Sequence, residues 1–245
     1  MTNECAFCPD TANISGEHLW SDWMNKIVPG EKIFAIKNES RQIIANWTGP
    51  ELNWKANVVC EACNNGWMSS LESQHAMPSM SDLIIGKVDI PIDQVRANSI
   101  ALFGFKTAVV IDHIERNRQP FFERSIRHEF RHSLTIPYNV SMWLTGFASR
   151  GRGEINTLYR KGEIAAGKEI EVYTCTYAVE HLVIQVVSYK ETGIQRAVSI
   201  GDEFLTVPFW PKIPDAFIWP PSRVLNNTSD FDRFSDRWKD FIVTC

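Results

Sequence analysis

The chain has 245 residues, 44% of them hydrophobic and 22% charged, with a formal net charge of -4. That composition can fill one large core or two smaller ones, which excludes disordered and fibrous classes. The negative balance gives no global attraction for nucleic acid, and residues 1–75 hold five Lys/Arg against nine Asp/Glu, so phosphate contacts would have to be local.

The first residues, Met1-Thr2-Asn3-Glu4-Cys5, lack the basic start and apolar run of a targeting segment. Apolar stretches such as 107–111 and 182–187 are far too short to span a bilayer. The expectation is a cytoplasmic protein without membrane contact. In a reducing compartment six cysteines are not a disulfide framework, and their spacing carries the information.

In chain order, residues 1–75 read as one unit. A knuckle at Cys5-Ala6-Phe7-Cys8 comes first, followed by a short amphipathic helix with Leu19, Trp20, Trp23, Met24 and Ile27 on one face, ended by Pro29-Gly30. A hairpin follows, with strands at 33–36 and 42–47 around the polar turn Lys37-Asn38-Glu39-Ser40. The second knuckle, Cys60-Glu61-Ala62-Cys63, opens a helix that Asn64-Asn65-Gly66 can cap and that buries Trp67, Met68 and Leu71. At 76–81 the periodic pattern gives way to Met, Pro and Ser, which reads as a linker to a second region, 76–245.

That second region begins with a buried helix over 93–114 and a second helix over 121–132. Strands are predicted at 141–147, 170–179, 182–189 and 197–207, with a turn at Glu191-Thr192-Gly193. Prolines 208, 211, 214, 220 and 221 break the pattern before a final helix over 230–242. The fold class expected for the chain is α+β: a zinc-stapled module of ββα type, then a mainly antiparallel α+β domain that selects substrate, senses a signal or mediates assembly with a partner protein or a second copy.

Two Cys-x-x-Cys pairs in one chain are rare by chance, and a shared metal explains them economically. A two-residue gap lets two thiolates converge on one tetrahedral ion, and two such knuckles complete a closed structural zinc site. Cys5, Cys8, Cys60 and Cys63 are therefore the expected zinc ligands. Cys175 and Cys245 read as ordinary residues. A closed site organises the chain and performs no catalysis, so any chemistry must lie beside it.

Beside it stand Glu17-His18, between the pairs, and Asn64, directly after the fourth cysteine. With these residues the first third of the chain resembles the HNH, or ββα-metal, endonucleases. Zinc-bearing members of that family, the phage junction-resolving type among them, carry an acidic residue plus His between two Cys-x-x-Cys pairs, and His or Asn after the last cysteine. The resemblance implies an endonuclease cutting phosphodiester bonds of nucleic acid, foremost DNA, in a setting such as phage defence. His18 would be the general base, since imidazoles titrate near neutrality. Glu17 and Asn64 would give hard oxygen ligands to a catalytic Mg²⁺ or Mn²⁺. Asn65 competes with Asn64, and Asn53 and Asn57 are candidates for the family's bracing Asn. The chain departs from the pattern in having Glu before His and in placing Trp67 and Met68 where a basic residue commonly meets phosphate.

Two other signals compete. His128-Glu129-Phe130-Arg131-His132 matches the H-E-x-x-H zinc-protease motif, but Arg131 places a charge inside it and Pro137 cuts its helix short. The same segment offers Arg124, Arg127 and Arg131, joined by Arg150 and Arg152, as nucleic-acid contacts. The rival from another class is a non-catalytic zinc ribbon that binds nucleic acid or protein.

Overall fold

The computed structural model describes residues 4–10, 13–38, 43–49, 54–114, 118–148, 150–164, 168–191, 207–212 and 216–238. The chain is mixed α+β, with antiparallel-rich sheets and the four knuckle cysteines gathered near its N-terminus. No described helix is long and apolar enough to cross a membrane.

After the first knuckle, β1 (Ile14–His18) pairs antiparallel with β4 (Lys55–Cys60), and a helical run, α2, follows β4 over 61–84. Between β1 and β4 the chain makes α1 (Asp22–Ile27), β2 (Lys32–Lys37) and β3 (Ile43–Gly49). The first predicted helix is thus shorter than its apolar periodicity. Leu19 donates its N–H to the Trp54 carbonyl at 3.2 Å, and Ser21 is extended, so Leu19 and Trp20 enter the core from a loop.

The α2 run is irregular. It kinks at Gly66 (φ -92°, ψ -111°) and contains two wider π-type segments, Asn64–Met68 and Glu72–Ala76. Pro78 accounts for the second: it has no N–H for the carbonyl four residues back and its ring clashes there. The change of composition at 76–81 therefore marks an altered helix, since Met77–Ile84 is α-helical. The expected boundary after residue 75 falls inside one continuous helical run.

Beyond it lie β5 (Ile90–Ile92), α3 (Gln94–Ile114), α4 (Arg124–Ser133), β6 (Val140–Phe147), β7 (Arg152–Ile164), β8 (Lys168–Val179) and β9 (Leu182–Glu191). Then come β10 (Val207–Trp210), β11 (Phe217–Trp219), β12 (Val224–Leu225) and α5 (Thr228–Asp236). Strands β10-β6-β9-β8-β7-β2-β3 form one sheet, with β12 added beside β6. Both faces are covered, which is why β6 is buried at every position despite its antiparallel neighbours. One face, with Tyr173, Cys175 and Tyr177, packs on α3; the other, with Trp143, Val183 and Val187, packs on Phe231, Phe234 and Trp238.

The hairpin β2-β3 is the join that sequence periodicity does not display. β2 pairs in parallel with β7, from Ile33 opposite Arg152 to Lys37 opposite Asn156. Trp20 strengthens the tie: it is fully buried and its Nε1 donates to the Ala178 carbonyl at 3.1 Å. The N-terminal third and the large sheet consequently share one core cluster. Predicted residues 197–206, 192–193, 39–42 and 239–242 lie outside the described residues.

Candidate functional site

The knuckle loop 5–8 is drawn against the end of β4 by the Ala6 N–H, which donates to the Val58 carbonyl at 2.7 Å. Cys60 ends β4 and Cys63 lies in the first turn of α2. All four cysteines are buried, and their sulfurs lie within 4.8 Å of one another, with Cys8 and Cys60 at 3.5 Å. A tetrahedral zinc with Zn–S near 2.3 Å sets its sulfurs about 3.8 Å apart, so the donor set fits such an ion.

The electrostatics of the cluster favour one anionic sulfur, that of Cys5. Cys5 Sγ accepts N–H groups from Cys60 (3.2 Å) and Phe7 (3.4 Å). A hydrogen bond from Cys63, aided by these N–H groups, lowers the Cys5 pKa to about 4. Holding that shared proton raises Cys63, and burial raises Cys60 to about 11. Among the described residues these four are the one group of three or more His, Cys, Asp or Glu side chains placed to hold a metal ion. His128 and His132 of α4 belong to no such group, and the H-E-x-x-H match has no metal geometry behind it.

Arg127 corrects the sequence reading of α4. The residue is 8% exposed and its guanidinium donates inward, to the Phe122 carbonyl at 3.0 Å and to the Ala6 carbonyl of the first knuckle. It therefore offers no outward face to a phosphate and instead clamps the metal loop. Arg127→Met is expected to cost about 2–4 kcal/mol, because two buried carbonyls lose a charged donor; thermal unfolding checks this, and nucleic-acid affinity should be unchanged in the folded fraction. Arg124 pairs with Glu4 at 2.5 Å and Arg152 with Glu154 at 3.2 Å, whereas Arg131 is half-buried and Arg150 is exposed.

One residue beyond the fourth cysteine a cleft of about 150 Å³ opens, and Glu17, His18 and Asn64 all line it. Asn64 reaches it from the first π segment of α2, anchored by its Nδ2, which donates to Ser15 Oγ (3.2 Å) and the Gly16 carbonyl (3.3 Å). The amide nitrogen is thereby committed to β1, and its Oδ1 remains as an acceptor. His18 ends β1 with its Nε2 3.5 Å from Oδ1 of Asp22, the first residue of α1. Across the ladder His18 faces Lys55, which is exposed. Gly16 makes room for that lysine, since a Cβ there would lie 3.0 Å from Lys55 Cβ and Cδ.

Glu17 is placed otherwise than expected. It is 4% exposed, and its Oε1 accepts from Lys106 Nζ of α3 at 2.7 Å. The same ammonium donates to Glu72 Oε1 at 2.8 Å, and Glu72 also accepts from Ser21 Oγ at 2.6 Å. Sequence reasoning missed Lys106, Glu72, Asp22 and Lys55. Lys106 alone left a trace, as a single charge within the apolar run 100–111. Glu17, Asp22 and Glu72 give the cleft an acidic lining, although one oxygen of Glu17 is already taken by Lys106.

No family model, curated protein or solved structure matches the chain. The cleft is therefore read from its own chemistry.

Proposed function

We propose that this chain is a divalent-ion-dependent endonuclease of the HNH kind, hydrolysing phosphodiester bonds of nucleic acid in the cleft at His18. The observation that carries the reading is that Glu17, His18 and Asn64, 47 positions apart at their widest, line one cleft beside a four-cysteine centre. A zinc ribbon that only staples the chain has no need of that convergence.

In this reading His18 accepts a proton from the attacking water. The Nε2–H faces Asp22, which leaves Nδ1 as the basic atom and gives the imidazolium a carboxylate to face once it forms. The water oxygen bonds to phosphorus as the bond to the leaving sugar oxygen breaks, and that oxygen takes a proton from solvent. Asn64 Oδ1 and the second carboxylate oxygen of Glu17 would hold a Mg²⁺ or Mn²⁺ ion. Such an ion, when bound, stabilises the charge developing on the phosphoryl and leaving oxygens. Lys55, opposite His18, supplies the basic contact to phosphate that Trp67 and Met68 do not provide. DNA is the proposed substrate, by the same resemblance.

The test is a divalent-ion titration of strand cleavage. Asn64→Ala should raise the Mg²⁺ or Mn²⁺ concentration for half-maximal cutting by about ten- to a hundredfold, the usual effect of disturbing a metal's oxygen shell. Cleavage by the parent that needs no added ion would sink the proposal. A second reading, a non-catalytic zinc ribbon, draws on the burial of Glu17 against Lys106, which a structural ion pair also accounts for. Nucleic-acid binding without any cleavage would favour it.

A further inference from the structure

Lys106 lies midway along α3, within a helix whose neighbours from Ile100 to Ile111 are almost all buried apolar side chains. Its own side chain is 1% exposed, and its Nζ also lies 5.0 Å from the Phe103 ring. Burial alone would pull a lysine towards neutrality, but two carboxylates at hydrogen-bond distance hold the group as an ammonium ion. The two carboxylates come from different elements, β1 and α2, and converge on one nitrogen at 2.7 and 2.8 Å.

A gain in stability is a weak account of this arrangement. A buried ion pair seldom outperforms apolar packing of the same volume, because desolvating each charge offsets the attraction gained. What distinguishes the group is its place: both carboxylates line the cleft, and the ammonium stands behind them, on the core side.

We infer that Lys106 is a positioning residue that acts as a built-in cation, fixing Glu17 and Glu72 and limiting the cleft to a single divalent ion whose affinity it sets. The inference rests on the reading of the cleft as a divalent-ion site. Glu17, Glu72 and Asp22 bring three negative charges and Lys106 one positive, a balance of -2 that one divalent ion neutralises. Removing the ammonium leaves -3 and an open place between two carboxylates. Removing the charge of Glu72 leaves -1. Removing both restores -2.

The experiment is Mn²⁺ binding to the full-length, zinc-loaded chain, followed by calorimetry and by electron paramagnetic resonance of free Mn²⁺. Lys106→Met should bind Mn²⁺ about tenfold or more tightly than the parent, or take up a second ion, and its lowered Tm should recover as Mn²⁺ is added. Glu72→Gln should bind about tenfold more weakly, and adding Lys106→Met to it should bring affinity back to the parent's. The pair Glu72→Gln and its double variant keeps the test decisive if Lys106→Met alone does not fold. Unchanged affinity in Lys106→Met, or no restoration in the double variant, overturns the role of Lys106. A parent that binds no Mn²⁺ would defeat both the proposed catalytic ion and the single-ion role of Lys106, whereas a parent that binds Mn²⁺ as tightly as Lys106→Met would defeat the role of Lys106 alone.

Discussion

Withdrawing the metal from the four-cysteine centre with a strong chelator should unfold the chain. Zinc binding in small modules contributes about 10–16 kcal/mol to folding, whereas a domain's whole stability is about 5–15 kcal/mol. The cysteines are buried with their sulfurs within 4.8 Å of one another, so removing the cation leaves four crowded sulfurs that only a metal would satisfy. The loss should not stop at residue 75. Trp20 hydrogen-bonds β8, β2 pairs with β7 and Arg127 holds the Ala6 carbonyl, so the knuckles and the large sheet share one core. Purified protein should therefore contain one zinc per chain by atomic emission. On chelation, circular dichroism and tryptophan fluorescence should change together, and Cys60→Ser should behave like chelated protein. Metal-free protein that retains the parent's Tm would refute the structural role of the centre.

His18→Ala should leave the fold and the zinc in place and lower cleavage by about 10² to 10⁴, the share a general base commonly supplies. The side chain is partly exposed, and its partner Asp22 is 75% exposed, so the lost pairing is a surface contact worth no more than about 1 kcal/mol. Neither the cysteine cluster nor the Lys106 network contains His18. Binding should survive, because Lys55 and the remaining cleft are unaltered. Asp22→Asn should act in the same direction but less strongly, since it changes what the imidazole faces and not the imidazole itself. Nicking of supercoiled plasmid gives both rates, with zinc content measured on the same samples.

The parts of this site that follow from local pattern were legible in the sequence. Two Cys-x-x-Cys pairs predict a metal centre because the spacing alone brings two sulfurs to one ion, and the four sulfurs do gather within 4.8 Å. The buried helix over 93–114 and the strands over 141–147, 170–179 and 182–189 follow from apolar runs and match α3, β6, β8 and β9, whereas β7 has no such run to announce it. What was not legible depends on tertiary pairing. Nothing in 32–37 announces that β2 will lie parallel to β7, so local pattern displays only two regions and a change of composition between them. The charge of Arg127 suggested an outward role, and only the fold shows Phe122 and Ala6 turning their carbonyls towards it. Likewise Lys106 is 89 residues from Glu17 and 34 from Glu72, too far for any local rule to join them.

The central claim is that this cleft hydrolyses phosphodiesters, and the measurement closest to it is single-turnover cleavage of an end-labelled DNA strand. Parent and His18→Ala would be compared at saturating protein, with and without Mn²⁺, after zinc content and DNA affinity have been matched. The account predicts cleavage by the parent only when Mn²⁺ is added, and a rate about 10² to 10⁴ lower for the variant. Equal rates for the two proteins, or DNA bound by the parent and never cut, would contradict it.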